Sequence, residues 1–300
     1  MAATVSVNGR ITAGGDAVIS VFDHGFLYGE GIYETMRTYG GRPFLYDRHL
    51  RRLRHSAGMI ALAVPFTDDE LASQIRQTMA AADLGDSEAY IRVLVTRGIG
   101  DLTYDPRATP RPSVVIIVKP HVEPPAELYA NGTRAAIVDT MRNHPASVNP
   151  MIKSNNLMNS ALAMQEALRR GALEGIMRNY RGELTECTTS NLFIVRGGEA
   201  LTPPLSAGLL PGITREFLFE LGPDAGVAVR EETLRDEDLY GADEAFLTGT
   251  TSEVIPITMV GDRTIGSGRP GPVTLRLLEM FRAYANASTG GHEQNRLRSP

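Results

Sequence analysis

Apolar residues in this chain recur in short blocks with two different periods, separated by glycine, proline and polar turns. Residues 5–7 and 17–20 are short apolar runs that predict strands, and Gly31–Tyr39 alternates as a half-buried strand does before a Gly40-Gly41 turn. A helical period follows. Asp47 stands as N-cap of a helix through Met59 with Leu50, Leu53 and Ala57 on one face, and Thr67 caps a second helix over residues 68–82. Ala89–Thr96 and residues 113–118 predict two more strands, the second apolar on both faces and therefore buried. A small α/β domain over residues 1–118 is the result.

From Lys119 to Asn131 the chain reads KPHVEPPAELYAN, with three prolines and no sustained apolar period, which predicts an interdomain linker. A larger α/β domain follows over residues 132–285. Its expected parts are a strand at 134–139, a long amphipathic helix at 155–170 ending on Gly171, and strands at 175–179 and 191–195. A helix opening near Pro211, a short strand at 245–247 and a last helix at 273–284 complete it. Residues 286–300 are polar and predict a mobile tail. The fold class is α/β (α+β) in two domains.

Composition narrows the functions. With 42% hydrophobic and 22% charged residues the chain is globular, and it has neither an apolar run of membrane-spanning length nor a secretion signal, so a cytoplasmic protein without a membrane partner is expected. A net charge of −5 spread over mixed signs argues against a nucleic-acid partner, because phosphate binding calls for a basic stripe. The single cysteine, Cys187, forms no internal disulfide, and the six histidines lack metal-ligand spacing, so no structural metal is expected.

The basic residues carry the sharpest fact. Of 30, only Lys119 and Lys153 are lysine. Arginine substitutes for lysine on a wet surface, but its permanently protonated guanidinium forms no imine with a carbonyl. Lys153 lies between Ile152 and a polar Ser-Asn-Asn turn before the long helix, where partial desolvation favours a nucleophilic amine; Lys119, ahead of Pro120, reads as a solvated strand end. A plain exposed lysine is the competing reading for both. Two turns suit a phosphate: Pro211 and Gly212 leave the amides of Ile213 and Thr214 at a helix start, and Thr248-Gly-Thr-Thr-Ser252 offers hydroxyls and amides around Thr250. No GxGxxG or P-loop spacing is present. Glu186 lies in a loop rich in hydroxyls and amides, where a carboxylate can pair with a protonated ring nitrogen; Glu183 competes for that role, and Cys187 reads as a small filler.

With these residues assembled, the chain resembles the class IV, fold-type IV, pyridoxal-phosphate aminotransferases, the group of branched-chain and D-amino-acid aminotransferases and aminodeoxychorismate lyase. The resemblance runs from about Asp23 to Phe281 and rests on DHGFLYGEGIYET, LTECTTSNLF, LLPGITRE and ADEAFLTGTTSEV in that order. It implies pyridoxal 5′-phosphate held as a Schiff base by Lys153, with Glu186 on the pyridine nitrogen. It also implies Arg52, in HLRRLRHSA beside Arg51 and Arg54, on the phosphate with Ile213, Thr214 and Thr250. It further implies a small N-terminal and a larger C-terminal domain, an active site between them, and a homodimer.

The subfamily stays open at this point. Tyr90-Ile-Arg92 resembles the Tyr-x-Arg of branched-chain enzymes, and Gly249-Thr250-Thr251 resembles their Gly-Thr-Ala turn. Leu157 stands where those enzymes carry a tyrosine, and Tyr33-Glu34-Thr35 replaces their Phe-Glu-Gly. The D-amino-acid enzymes place an Arg-x-His carboxylate clamp where this chain reads Arg97-Gly98-Ile99. The favoured expectation is transfer between branched or other aliphatic L-amino acids and 2-oxo acids such as 2-oxoglutarate. Tyr28, Tyr33 and Tyr90 form the expected aromatic wall, joined by Arg92, Arg97 and Thr251. The alternatives are a D-amino-acid aminotransferase or (R)-amine transaminase, aminodeoxychorismate lyase, and a non-catalytic cofactor-binding homologue.

Overall fold

The computed structural model describes residues 3–287. The chain divides into two compact units, one made of the chain up to Val122 together with Ile152–Asn156, the other of Glu123–Met151 and Leu157–Ala285.

In the first unit, β1 (Thr4–Val7) and β2 (Arg10–Ala13) form a hairpin, and a single-turn helix α1 (His24–Leu27) is capped by Asp23. Then come β3 (Gly31–Tyr39), β4 (Arg42–Pro43), helices α2 (Tyr46–Met59) and α3 (Asp68–Ala80), and strands β5 (Ala89–Thr96) and β6 (Ser113–Pro120). They make one antiparallel sheet in the order β2-β1-β6-β5-β3-β4. Alternation assigns the faces. Ile32, Met36, Ile91, Val93, Ile116 and Val118 pack with Leu50 and Leu53 of α2 and Leu71 and Ile75 of α3 in one buried cluster. Of the intervening residues on the opposite face, Tyr33, Arg92 and Tyr90 are only half-buried.

The second unit contains α4 (Ala126–Asn131), β7 (Thr133–Ile137), α5 (Met158–Arg169), β8 (Glu174–Arg178), β9 (Leu184–Cys187), β10 (Asn191–Arg196) and β11 (Glu199–Thr202). It continues with α6 (Ile213–Asp224), β12 (Val229–Glu231), α7 (Asp236–Tyr240), β13 (Glu244–Gly249), β14 (Glu253–Val260), β15 (Arg263–Thr264) and α8 (Pro272–Ala287). The sheet runs β12-β11-β10-β13-β14-β7-β8-β9, and β9 pairs back to β10 through Glu186 and Asn191. That last pairing closes six strands into a ring. Phe193 and Phe246 stack at 4.9 Å across β10 and β13.

Several expectations change. Residues 17–20 form no strand, because Val18 and Ile19 are exposed and no neighbouring strand pairs with them. Leu45, in a left-handed conformation, is the N-cap of α2, so Asp47 sits inside its first turn, favourably for the helix dipole. The boundary between the units falls at Val122–Glu123, within the segment 119–131, whose ends are structured: β6 runs through Pro120, and α4 belongs to the second unit, its Tyr129 hydroxyl donating to the Ser252 carbonyl. The long helix starts at Met158 rather than 155, since Lys153 and Asn155 are bonded to β3 and Ser154 bridges Ile32. Helix α8 reaches Ala287, and residues 288–300 of the expected tail lie outside the described residues.

Candidate active site

The candidate residues fall into two groups, one in each unit. In the first unit Lys153 is held by its backbone. Its carbonyl accepts from the Tyr33 amide at 2.9 Å, its own amide donates to Ser56 Oγ at 3.1 Å, and the Asn155 amide donates to the Gly31 carbonyl at 2.9 Å. The approach requires glycine at 31, where a Cβ would lie 2.5 Å from Asn155 Nδ2. The ammonium then lies 4.5 Å from the centre of the Tyr33 ring, and the Arg92 guanidinium lies 4.0 Å from it. Burial pushes the Tyr33 phenol up, against the charge of Arg92. Lys119 is different: it ends β6 opposite Tyr90, whose ring lies 4.9 Å from its ammonium.

Of the three neighbouring arginines, only Arg52 is buried; Arg51 is exposed and Arg54 pairs with Asp68. Arg52 Nε and Nη2 donate to the two Glu34 carboxylate oxygens at 2.7 and 2.8 Å, and His49 Nδ1 lies 2.7 Å from Glu34 Oε2. Burial by itself would raise the Glu34 carboxyl, but the Arg52 charge and the bonds from Arg52 and His49 outweigh it and hold it at about 2. Burial lowers His49 and, with the charges of Arg52 and Lys153, outweighs the bond and charge of Glu34 that raise it, so Nδ1–H donates to the ionised Glu34.

The expected substrate residues separate. Tyr33 and Arg92 meet beside Lys153, and Tyr90 shares their sheet face. Tyr28 packs against His24 and Tyr104 at 4.9 and 5.0 Å. Arg97 lies at the end of α2: its Nη2 and Nη1 donate to the Ile60 and Ala61 carbonyls just past that helix, and its Nε faces Glu30 at 3.4 Å. Those carbonyls are left unpaired by the helix end, so this guanidinium serves as a C-terminal cap.

In the second unit, Glu186 is nearly buried at the ring-closing pair of strands. Oε1 accepts from Arg142 Nε at 2.6 Å, and Oε2 accepts from the Leu210 amide at 3.1 Å and Asn191 Nδ2 at 3.4 Å. Glu183 bonds Arg181 and Asn179 in the neighbouring turn instead. Asn191 also donates to the Leu210 carbonyl at 3.1 Å, and Gly212 packs so tightly on it that a Cβ would sit 1.9 Å from Asn191 Oδ1. Glu186 is thereby tied to the start of α6. No side chain caps that start, and Ile213 and Thr214 are its first residues. Cross-strand pairing places Glu186, Asn191 and Thr248 in one row over β9, β10 and β13, and Thr250 and Thr251 lie in the turn beyond Thr248. The Thr248 hydroxyl is buried without a hydrogen-bond partner. Burial and the Glu174 charge push the Cys187 thiol well up, which makes it inert packing.

A buried anion, an uncapped helix start and an unsatisfied hydroxyl in one unit fit a small molecule with a basic ring atom at one end and a phosphate at the other. Among the described residues no group of His, Cys, Asp or Glu could hold a metal ion, and no helix is long and apolar enough to cross a membrane. Sequence reasoning missed Arg142, Asn191, Glu34 and His49. Glu34 left a signal, as a charge in the buried register of β3 with His49 and Arg52 one helical turn apart on α2; Arg142 left none.

The family model for amino-transferase class IV matches residues 31–260. The chain belongs to that family. A branched-chain-amino-acid aminotransferase of Escherichia coli (strain K12) is 34% identical over 280 residues, which cover 91% of this chain and 90% of that one. A crystal structure of an E. coli branched-chain amino acid aminotransferase matches with a TM-score of 0.91, 32% identity and 98% of both chains covered. The D-alanine aminotransferase of Bacillus licheniformis is 34% identical over 270 residues, 90% of this chain and 93% of that one. A branched-chain amino acid aminotransferase from Thermobaculum terrenum, solved in its PLP form, has a TM-score of 0.84 and 28% identity, with 95% of this chain and 94% of that one covered. This aminotransferase therefore has the fold of the fold-type IV enzymes.

Proposed function

We propose that this aminotransferase depends on pyridoxal 5′-phosphate, holds it through Lys153, and transfers amino groups between branched or other aliphatic L-amino acids and 2-oxo acids such as 2-oxoglutarate. The carrying observation is the amine of Lys153, fixed by backbone bonds to β3 and α2 and laid against Tyr33. The larger C-terminal unit is the cofactor-binding domain in this reading: Glu186 meets the ring nitrogen, and the Ile213 and Thr214 amides with Thr250 receive the phosphate. Arg52, held on its Nε and Nη2 edge by Glu34, is the further phosphate partner. When bound, the cofactor supplies an electron sink for the bond broken at the substrate α-carbon. Nζ of Lys153 takes the α-proton and delivers it back, which is general acid–base work at one atom. Tyr28, Tyr33, Tyr90, Arg92 and Thr251 are the substrate-binding residues.

The L-preference rests on Arg92 beside Tyr33 and on Arg97 being committed to the end of α2, which leaves no D-type clamp. The D-reading is the second, favoured by the B. licheniformis relative and by Leu157 at the N-cap of α5. Parallel turnover of L-leucine, D-alanine and (R)-1-phenylethylamine with 2-oxoglutarate decides it: L-leucine is expected to be fastest, and faster D-alanine or amine turnover overturns the substrate class. Lys153→Ala is expected to abolish both turnover and the visible absorbance of the bound cofactor. A variant that keeps the band transfers the role to Lys119. The working form is proposed to be a cytoplasmic homodimer; recovery of the enzyme in the membrane fraction of lysed cells would refute the location.

A further inference from the structure

The carboxylate proposed for the ring nitrogen is shared with a cation that the sequence reading did not single out. Arg142 Nε donates to Glu186 Oε1 at 2.6 Å, and both side chains are almost withdrawn from water, 13% and 8% exposed. The guanidinium is itself held in place. Its Nη1 donates to Asn159 Oδ1 at 3.0 Å, Asn159 Nδ2 donates to the Met141 carbonyl at 2.7 Å, and the Arg142 amide donates to the Arg178 carbonyl at 2.9 Å. The other carboxylate oxygen has separate supports, the Leu210 amide and Asn191 Nδ2. Position and charge are thus controlled by different groups.

We propose that Arg142 is a positioning residue that sets how much of the Glu186 charge reaches the ring nitrogen of the bound cofactor. The inference rests on the reading of Glu186 as the ring-nitrogen partner. A carboxylate carrying its full charge in a dry site draws the ring proton tightly onto the nitrogen side of an ion pair, because a buried pair is poorly screened. A carboxylate already bonded to a guanidinium has part of that charge answered, so it accepts a hydrogen bond from the ring without fixing a full positive charge there. Arg142 then governs how strongly the ring draws electrons from the substrate α-carbon, while Leu210 and Asn191 keep the carboxylate aimed.

The test loads the full-length protein with pyridoxal phosphate labelled with ¹⁵N in the ring and reads the nitrogen chemical shift at one fixed pH, with no substrate. Arg142→Met is expected to move the shift toward the protonated limit, and Arg142→Lys to return it close to wild type. Asn159→Ala, which removes only the anchor of the guanidinium, is expected to move it the same way by less, and serves if the Met variant does not fold. An unchanged shift, or movement toward the unprotonated limit, in Arg142→Met, or in Asn159→Ala where the Met variant does not fold, overturns the proposal. Glu186→Gln separates the two levels. If it leaves the shift unchanged, the assignment of Glu186 itself fails; if it moves the shift while the Arg142 and Asn159 variants do not, only the role of Arg142 fails.

Discussion

A single buried carboxylate, Glu34, shows how much one side chain decides in the first unit. It stands in the core-facing register of β3 between Ile32 and Met36, where an unpaired charge is costly, and it is tolerated because Arg52 and His49 meet it from α2. Its folded carboxyl value, about 2, lies below the ordinary 4.5, so its contribution is complete above pH 4.5 and is lost as the pH falls from there toward 2. His49 has the same sign. Its folded value is lowered below the ordinary 6.5, so the unfolded chain binds the proton more readily and stability declines as the pH falls below 6.5. Denaturant unfolding at pH 7, 5.5, 4 and 3 is expected to show stability falling throughout. Glu34→Gln is expected to cost about 3 kcal/mol at pH 7 and to flatten the curve below pH 4.5. Parallel pH curves for the two proteins would contradict this account. At this scale the sequence singles out Lys153, since amine chemistry is a property of the residue, but is silent on the bond of Arg97 to the end of α2, since a guanidinium serves a helix end as readily as a substrate.

Elements with a clean period appear where the period puts them. β3 and β5 span Gly31–Tyr39 and Ala89–Thr96 as their alternation predicts, and Thr67 caps α3 with Glu70 completing a reciprocal capping box. The strands that escaped notice, such as β9, β11 and β12, have only three or four residues, too few to display a period. β14 escaped because Pro256 argues against a central strand; the sheet accepts it with an irregular register between Ile257 and Met259. The start of α6 depends on contact between elements. Gly212→Ala would thrust a methyl group into Asn191 on β10 and prise it from both Glu186 and the Leu210 carbonyl. Cofactor affinity measured by equilibrium dialysis is expected to fall on the order of a hundredfold, about 2.7 kcal/mol; a variant that binds as tightly as wild type would show that the packing of Gly212 on Asn191 does not support the proposed cofactor site.

For the whole molecule, the first unit leaves Val18, Phe22 and Phe26 exposed, with Ile99, Leu102 and Tyr104 on a segment joined to theirs by hydrogen bonds between His24 and Gly98 and between Gly100 and Phe22. Clustered apolar exposure of this kind supports the homodimer proposed above. Light scattering is expected to give twice 32.5 kDa, and Phe22→Asp with Phe26→Asp to shift it toward one chain; a monomeric wild type would refute the assembly. The chain also returns to its first unit at Ile152–Asn156 after entering the second, and the free edge of β3 at Gly31–Tyr33 is covered by that return. The amino-acid order alone determined the strand and helix periods, the scarcity of lysine and the succession of motifs that marks the family, because these are local properties of neighbouring residues. Only the tertiary structure decided that Lys153 is bonded to β3, that Glu186 is paired with Arg142, and that β9 closes on β10. Those pairings join residues far apart in the chain, and their partners are chosen by strand order and close packing, which no local period encodes.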